Sequence, residues 1–196
     1  ELMIAIVNEL LDLSRIEARR GKDFRIERIN LCELLDDVVA AFMPPNHRPL
    51  PLKALCLPDE AIWIKGDRNK LRQALGNVLS NAYKYSPDGG EVRVDYTSEL
   101  REGESWCGVV VRDHGLGMSS EQVASCFQRF YRADTSGKIP GTGLGLCLVK
   151  EIIDLHGGRI DILSCPGEGT SVTVWLRERV ERAAASSELR HPTCLT

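Results

Sequence analysis

The 196 residues suffice for one domain that buries roughly 70% of its unfolded surface, and the formal net charge of −3 excludes an overall field that would attract nucleic acid. Seven cysteines without a C-x-x-C pair argue against a disulfide framework and a zinc site, and they favour a reducing compartment, which we expect to be the cytoplasm. No apolar run reaches the ~18–20 residues of a membrane span. Because the chain opens directly in a helical pattern, we expect no signal peptide.

Residues 1–20 predict one amphipathic helix, ended by Gly21 with Arg19 and Arg20 in its last turn. Its apolar residues recur at spacings of three and four, in a stripe that needs another helix to cover it. The stripe consists of Met3, Ile4, Ile6, Val7, Leu10, Leu11 and Leu13. Two arrangements remain open. The helix folds onto its own domain, or, as the wide stripe favours, it forms half of a helical hairpin or of a dimeric bundle.

The next part of the chain alternates capped helices with short extended runs. Asn30 and Asp67 are suited to cap helices, and four prolines make residues 43–53 a loop. The predicted elements are an extended stretch Phe24–Ile29, a helix Leu31–Phe42, strands Ala54–Leu57 and Ala61–Lys65, and a helix from Asp67 with Leu71, Leu75, Val78, Leu79 and Ala82 inward.

The second half predicts paired strands around two more helices. In order these are a turn Pro87–Gly90, strands Glu91–Tyr96 and Trp106–Arg112, a short helix Glu121–Phe127, a polar stretch Ala133–Pro140, a helix Leu144–His156, and strands Arg159–Ser164 and Ser171–Leu176 around the turn Pro166–Gly169. Because hairpin-like turns dominate the strand links, we predict an α/β (α+β) two-layer sandwich, in which a mixed, largely antiparallel sheet carries helices on one face. Residues 178–196 are expected to be a disordered tail or linker.

A polar face on the helix after Asp67 predicts a ligand site. Asn77, Asn81 and Lys84 fall at i, i+4 and i+7 and share one side of an otherwise apolar helix. An amide oxygen is a hard ligand suited to Mg²⁺, which takes its remaining ligands from water and phosphates. Lys84 could meet phosphate as a point charge. The alternative interpretation is a solvated helix face.

A second signal follows the strand that ends near Arg112. Asp113 could accept a hydrogen bond from an exocyclic amine such as that of adenine, and Gly115 and Gly117 would let the backbone approach a flat ring. The alternative is a plain Asx turn with glycines at its left-handed positions.

A third signal is the glycine series Gly141, Gly143 and Gly145 at the start of a helix. Free N–H groups at a helix start favour phosphate, whereas the alternative is a flexible loop that enters the helix. No G-K-[ST] follows, so this is not a Walker A loop, and its late position outside a βαβ unit excludes a dinucleotide fingerprint. In this order over about seventy residues, the three signals describe a site for a nucleotide triphosphate with magnesium.

Between the glycine segments lies C-F-Q-R-F-Y-R. Phe127 and Phe130 are predicted core anchors. Arg129 and Arg132 could stabilise phosphoryl charge, although for Arg129 a structural salt bridge is an equally good interpretation.

These segments resemble the boxes of the catalytic and ATP-binding domain of sensor histidine kinases, in the Bergerat-fold superfamily. N-V-L-S-N-A-Y-K-Y-S resembles the N box, D-H-G-L-G-M and G-T-G-L-G-L the two glycine boxes, and C-F-Q-R-F-Y-R the F box. The opening L-L-D-L-S-R-I-E-A resembles the end of the second helix of the dimerisation and phosphoacceptor domain. The likeness covers residues 1–177, with 1–20 as that helix and 21–177 as the catalytic domain.

The resemblance implies ATP and Mg²⁺ as ligands and assigns roles to individual residues. Asn81 would ligate magnesium, Lys84 and Tyr85 would face the phosphates, Asp113 would read adenine, and Arg132 would assist γ-phosphoryl transfer. Residues 133–140 would form a mobile lid, and Thr170 would reach the adenine side. The other residues of the implied ATP site are Gly115, Gly117, Met118, Arg129, Gly141, Thr142, Gly143, Leu144, Gly145 and Leu146.

One departure from related hydrolases concerns the chemistry. Those enzymes place a water-activating Glu four residues before the metal-binding Asn, where this chain has Asn77. An amide cannot act as a general base, so we expect slow hydrolysis and transfer to another group instead. With Arg132, Asn77 completes the predicted catalytic pair.

The phosphoacceptor histidine is the second departure. In the family, the phosphoacceptor histidine lies in an H-E-L-R-T-P-like segment. The chain has four histidines, and none of them lies in such a segment: His47, His114, His156 and His191. We therefore expect a fragment that binds ATP, does not phosphorylate itself and dimerises weakly or not at all. Its implied partners are its own phosphoacceptor domain, whose helix is missing, and a response regulator, in a homodimeric parent. The alternatives are a serine/threonine kinase of the same superfamily and a non-catalytic, nucleotide-gated interaction module.

Overall fold

The structure is a computed structural model that describes residues 2–44, 49, 52–53, 61–87, 89–133, 139 and 141–179. The helices of this part of the chain are α1 (Leu2–Arg19), α2 (Leu31–Ala41), α3 (Arg68–Lys84), α4 (Ser120–Ser125) and α5 (Gly145–Leu155). Its strands are β1 (Glu27–Asn30), β2 (Leu52–Lys53), β3 (Trp63–Gly66), β4 (Arg93–Arg101), β5 (Glu104–Arg112), β6 (Arg159–Cys165) and β7 (Gly169–Arg177). None of these helices combines the length and the apolar character needed to span a bilayer.

The strands form one large and one small sheet. The five-stranded sheet has the order β2-β4-β5-β7-β6, in which β2 runs parallel to β4 and the other neighbours are antiparallel. The small sheet pairs β1 with β3 antiparallel. The predicted mixed, largely antiparallel sheet is therefore confirmed.

Helices α3 and α5 pack against each other and cover one face of the large sheet. The apolar stripe predicted on α3 is buried, and alternate residues of β5 and β7 meet it because successive side chains of a strand point to opposite faces. Representative core residues are Leu71, Leu75, Val78, Val109, Val111, Ile152, Ile153 and Val174. This two-layer arrangement is the one expected from the sequence, and it leaves the carboxyl end of β5 next to the carboxyl end of α3.

Both predicted caps are present. The side chain of Asn30 accepts a hydrogen bond from the N–H of Cys32 at 3.0 Å, and Oδ1 of Asp67 accepts one from the N–H of Lys70 at 3.0 Å. Each satisfies a donor that the first turn of a helix leaves free. Oδ2 of Asp67 also accepts the N–H of Arg25 at 2.8 Å, so this carboxylate joins the segment before β1 to the start of α3.

Several predicted bounds were wrong. The loop expected over 43–53 ends earlier, because Leu52 and Lys53 pair with β4 in a strand too short to show a pattern. Strand β4 runs to Arg101 rather than Tyr96, because its hairpin turn with β5 is at Glu102 and Gly103, both at positive φ. Helix α4 begins and ends earlier than expected, at Ser120 and Ser125. The predicted strand 54–57 and most of the tail and of the 133–140 stretch lie outside the described residues.

Helix α1 folds onto its own domain, whereas its pairing with a further helix stays a prediction. Its C-terminal half packs onto the domain, where Leu13 and Ile16 are fully buried in the core. Its N-terminal half leaves Met3, Val7 and Leu11 exposed on the surface, with 76%, 48% and 48% of their areas accessible. The helix therefore docks on α5 while still presenting an uncovered apolar stripe.

Candidate functional site

A cavity of about 400 Å³ lies between α3, α5, the large sheet and the loop after β5. Seven of the predicted site residues line it: Asn81, Tyr85, Asp113, Gly117, Met118, Leu146 and Thr170. The remaining lining residues are Val78, Ala82, Val111, Leu116, Gln122, Cys126, Tyr131, Ala133, Ile162, Pro166 and Val172. The site therefore has a largely apolar wall with a few polar groups, as is usual for a small-molecule site.

Asp113 is a buried carboxylate in this apolar wall. Its Oδ1 accepts the N–H groups of Gly115 at 2.9 Å and of Thr170 at 3.2 Å. Burial raises the pKa of Asp113, while hydrogen bonds from Gly115, Thr170 and Ser86 act in the opposite direction. The two backbone bonds fix the carboxylate in one orientation. A fixed acceptor in an apolar cavity suits a ligand that presents a hydrogen-bond donor there.

The loop after β5 is wedged between the ends of α3 and β6. A Cβ added at Gly115 would lie 2.1 Å from the carbonyl oxygen of Tyr85, and one at Gly117, where φ is +62°, would lie 1.8 Å from that of Cys165. Backbone hydrogen bonds hold the same contact, since the N–H of Leu116 donates to Tyr85 at 2.9 Å. These glycines are thus required by close backbone packing, which shapes the cavity wall.

The polar end of the site lies where α3 meets the second glycine segment. A Cβ added at Gly145 would lie 4.0 Å from the amide nitrogen of Asn81, and one at Gly141 would lie 3.7 Å from Nζ of Lys84. Burial lowers the pKa of Lys84, and the neighbouring positive charge of Arg132 lowers it further, whereas Glu9 opposes the shift. An amide and an ammonium therefore lie beside the second glycine segment. The guanidinium of Arg132 donates to the carbonyl of Ile139 and is close enough to Lys84 to affect its pKa.

The F-box segment packs directly on the second glycine segment. The N–H of Phe130 donates to the carbonyl of Gly143 at 3.0 Å, and a Cβ at Gly143 would lie 2.7 Å from the carbonyl carbon of Phe130. Gly143 has φ of +73°. Contrary to its expected role as a core anchor, Phe130 is exposed, because its left-handed backbone serves this contact rather than the core.

Other predicted site residues lie around the cavity rather than in its lining. The guanidinium of Arg129 forms an ion pair with Glu17 of α1, which is the salt bridge weighed from the sequence. The hydroxyl of Thr142 donates to the carboxylate of Glu9, also on α1. Leu144 is fully buried in the core. Asn77 is half-buried one turn before Asn81 and does not line the cavity.

Helix α4 closes another side of the cavity. Ser119 and Gln122 form a capping box, in which Oε1 of Gln122 accepts the N–H of Ser119 at 2.8 Å. The amide nitrogen of Gln122 donates to the carbonyl of Ala133 at 3.2 Å. The N–H of Met118 donates to the hydroxyl of Ser164 on β6 at 2.8 Å. A single chain of contacts thus joins the loop after β5 to the segment that follows the F box.

Comparison with known proteins identifies this architecture. The family described as "Histidine kinase-, DNA gyrase B-, and HSP90-like ATPase" matches residues 66–180, more than half of the chain and all of the cavity's lining. The chain belongs to this ATPase family. Among curated relatives, the sensor histidine kinase WalK of Bacillus subtilis (strain 168) is 35% identical over 93% of this chain and 30% of its own length. The sensor protein GacS of Pseudomonas syringae pv. syringae is 37% identical over 95% of this chain and 20% of its own length.

Solved structures of histidine kinases share the fold. The mycobacterial sensor histidine kinase MprB superposes with a TM-score of 0.62 at 26% identity, over 78% of this chain and 97% of that chain. Full-length ShkA, crystallised in complex with AMPPNP, superposes with a TM-score of 0.71 at 23% identity, over 91% of this chain and 36% of that chain. The fold is therefore shared with structures of sensor histidine kinases, and the sensor kinases WalK and GacS are among the relatives that this ATPase domain resembles. The chain spans only a fifth to a third of the length of WalK and GacS.

Within this ATPase domain, the described histidines have structural surroundings. Nδ1 of His156 contacts the carbonyl of Ile152 at 2.7 Å, and its Nε2 accepts the N–H of Asp67 at 2.9 Å. His114 is exposed, and its Nδ1 lies 3.2 Å from the carbonyl of Glu91. Burial lowers the pKa of His156. Both nitrogens of His156 thus have partners within the domain. His47 and His191 lie outside the described residues.

Sequence reasoning missed two groups of residues around the ATPase cavity. The first is the apolar wall, which includes Val111, Ile162 and Val172; alternation along the strands indicates that these residues are buried but not that they border a cavity. The second is Gln122, whose position three residues after Ser119 fits a capping box. That signal was available in the sequence, whereas the bond to Ala133 was not.

Proposed function

We propose that the cavity binds ATP with Mg²⁺ and that, within a longer protein, this domain transfers the γ-phosphate to a histidine of a dimerisation and phosphoacceptor domain. A response-regulator aspartate then receives the phosphate. The observation that carries the proposal is one cavity with a fixed, buried Asp113 in its apolar wall and the amide of Asn81 in its lining, with Lys84 near the second glycine segment beside it. This polarity matches a nucleotide, which has an apolar ring with a donor amine and a charged tail.

The ring would lie in the apolar part of the cavity. Asp113 would accept from the adenine amino group, and Thr170 and Met118 would border the ring. The buried carboxylate of Asp113 would discriminate adenine from other bases, because a base without a donor at this position leaves that carboxylate unpaired in an apolar site.

The phosphates would lie at the polar end, next to Lys84, Arg132 and the start of α5. Free N–H groups at the helix start and the positive side chains both favour polyphosphate. The described residues hold no cluster of three or more His, Cys, Asp or Glu suited to a metal. Asn81, which lines the cavity, would be the ligand from the protein, and Mg²⁺ would take its other ligands from phosphate and water and neutralise phosphate charge. The donor set fits this use of the metal.

Transfer to histidine is favoured over hydrolysis by the side chain at position 77. Asn77 cannot accept a proton from water, so it offers no general base. In the proposed reaction the bond between the γ-phosphorus and the bridging oxygen breaks, a bond from phosphorus to an imidazole nitrogen forms, and ADP leaves with the electron pair. Catalysis then rests on positioning and on stabilised charge, to which Arg132 contributes.

We infer that residues 1–20 are the end of the second dimerisation helix, that residues 21–177 are the catalytic domain, and that the parent protein is a homodimer. The exposed stripe of α1 supports the helix assignment, because Met3, Val7 and Leu11 would be covered by a neighbouring helix. The domain would act in the cytoplasm, where ATP is supplied.

Radiolabelled phosphotransfer tests the proposal. The chain is mixed with a separately purified phosphoacceptor domain of the same protein, Mg²⁺ and ATP labelled at the γ-phosphate. We expect label on that domain that is lost in acid and kept in base, as for phosphohistidine, and little free phosphate without the acceptor. Acid-stable label would favour the serine/threonine kinase. Nucleotide binding without transfer would favour the interaction module, and either result would contradict the proposal.

A further inference from the structure

Gln122 is the side chain that spans the gap between the first glycine loop and the end of the F box. Its Oε1 accepts the N–H of Ser119 at 2.8 Å, and its Nε2 donates to the carbonyl of Ala133 at 3.2 Å. Gln122 and Ala133 both line the cavity. One end of the side chain therefore holds the start of α4, and the other end holds the segment that leaves the F box.

The two bonds place different demands on the residue. The capping bond needs only an acceptor, which Glu supplies as well as Gln. The bond to Ala133 needs a donor, which an ionised Glu lacks. A capping role alone would therefore be served equally by either residue, whereas the contact with Ala133 is specific to the amide.

The segment held in this way contributes two residues to the cavity lining and carries Arg132 of the proposed site. Tyr131 and Ala133 line the cavity, and Arg132 lies between them. The hydrogen bond from Gln122 to Ala133 therefore helps to fix where the backbone on the C-terminal side of Arg132 crosses the cavity, together with the bond from the guanidinium of Arg132 to the carbonyl of Ile139. The N-terminal side of the segment is fixed separately, by the bond from Phe130 to Gly143.

We propose that Gln122 is a positioning residue of the nucleotide site, which holds the Tyr131–Ala133 segment against the cavity and so sets the approach of Arg132 to the phosphates. This inference rests on the proposed function for the identity of the ligand. Gln122 contacts the backbone of the segment and takes no part in the reaction itself.

The decisive variant is Gln122→Glu, which keeps the cap and removes the donor. At pH 8 we expect its affinity for trinitrophenyl-ATP with Mg²⁺ to fall about tenfold relative to wild type, because the carboxylate faces the carbonyl of Ala133. A glutamate with an ordinary pKa of about 4.3 also stays ionised at pH 6, so the loss of affinity should be the same at pH 6 and pH 8. Gln122→Ala should lose affinity at both pH values. Glu121→Gln, an exposed change on the same helix, should leave the affinity unchanged.

Amide hydrogen exchange of the nucleotide-free protein separates this inference from the proposed function. Exchange across residues 131–133 should be faster in Gln122→Glu than in wild type at pH 8, with unchanged thermal stability. If wild type binds no nucleotide, the proposed function fails. Equal exchange across residues 131–133 in wild type and Gln122→Glu would show that Gln122 does not hold this segment, and it would overturn the inference. If wild type binds nucleotide and Gln122→Glu binds it equally at pH 8, the positioning role is wrong.

Discussion

Replacing Glu9 by Gln should strengthen nucleotide binding. Glu9 lies on α1, where its carboxylate accepts a hydrogen bond from Thr142 of the second glycine segment. It is also close enough to Lys84 to oppose the lowering of the pKa of that ammonium by burial. If the phosphates bind beside Lys84, this carboxylate opposes them. The change to Gln keeps an acceptor for Thr142 and removes only the charge.

Coulomb's law gives the size of the effect. One unit charge about 8 Å from a phosphate charge, at an effective dielectric constant of about 40, contributes about 1 kcal/mol of repulsion. A magnesium nucleotide carries roughly two uncompensated charges, so the gain should be about 1–2 kcal/mol, or about 5- to 30-fold in affinity. Glu9 is only half-buried, so salt screens its field.

Calorimetric titration with AMPPNP and Mg²⁺ measures this gain at about 50 and about 500 mM salt, and the gain should shrink at the higher salt. Asp12→Asn provides a charge-matched control on the same helix, because Asp12 accepts a hydrogen bond from Gln73 of α3 rather than from the glycine segment. Unchanged or weaker binding by Glu9→Gln, or an equal gain in Asp12→Asn, would refute the argument.

Three further outcomes follow from the described contacts. Gly117→Ala should lower the free energy of unfolding by about 3 kcal/mol or more in denaturant melts, because its Cβ overlaps the carbonyl of Cys165. The control Gly167→Ala has open space around its Cβ, so it should lower that free energy by only about 1 kcal/mol. Equal losses in the two variants would contradict this prediction. Stability should fall as pH drops below about 6.5, because the folded state lowers the pKa of His156 and the unfolded state binds more protons; His156→Gln should lose this part of the pH dependence. Asp113→Asn should bind ATP about tenfold more weakly in titrations, and equal binding would exclude its proposed role.

Local signals predicted those parts of the fold that depend on neighbouring residues. Asn30 and Asp67 cap helices as expected, because a cap involves only the next three residues. The bond from Arg25 to Asp67 joins residues 42 apart in the chain, and no local pattern specifies it. The short strand β2 was missed for the same reason, since its two residues form a strand only through pairing with β4.

The polar groups of the candidate site were predicted more completely than its apolar wall. Asn81 and Asp113 line the cavity because helix spacing and strand ends determine where such side chains point. The glycine boxes were recognised, but Gly117 and Gly143 have positive φ and close contacts with protein backbone, which spacing alone cannot separate from ligand contacts. The sequence could not decide between the two interpretations of Arg129, because its salt bridge forms only when the docking of α1 brings Glu17 next to it.

The central claim is that the cavity binds a magnesium nucleotide through Asn81. Calorimetric titration of wild type, Asn81→Ala and Asn77→Ala with AMPPNP, each with and without Mg²⁺, tests it most directly. Asn77 serves as a matched control, because it lies one turn earlier on α3 and does not line the cavity. We predict magnesium-dependent binding by wild type and by Asn77→Ala, and weak binding without magnesium dependence by Asn81→Ala. Absence of binding by wild type, or equal magnesium-dependent binding by Asn81→Ala, would contradict the account.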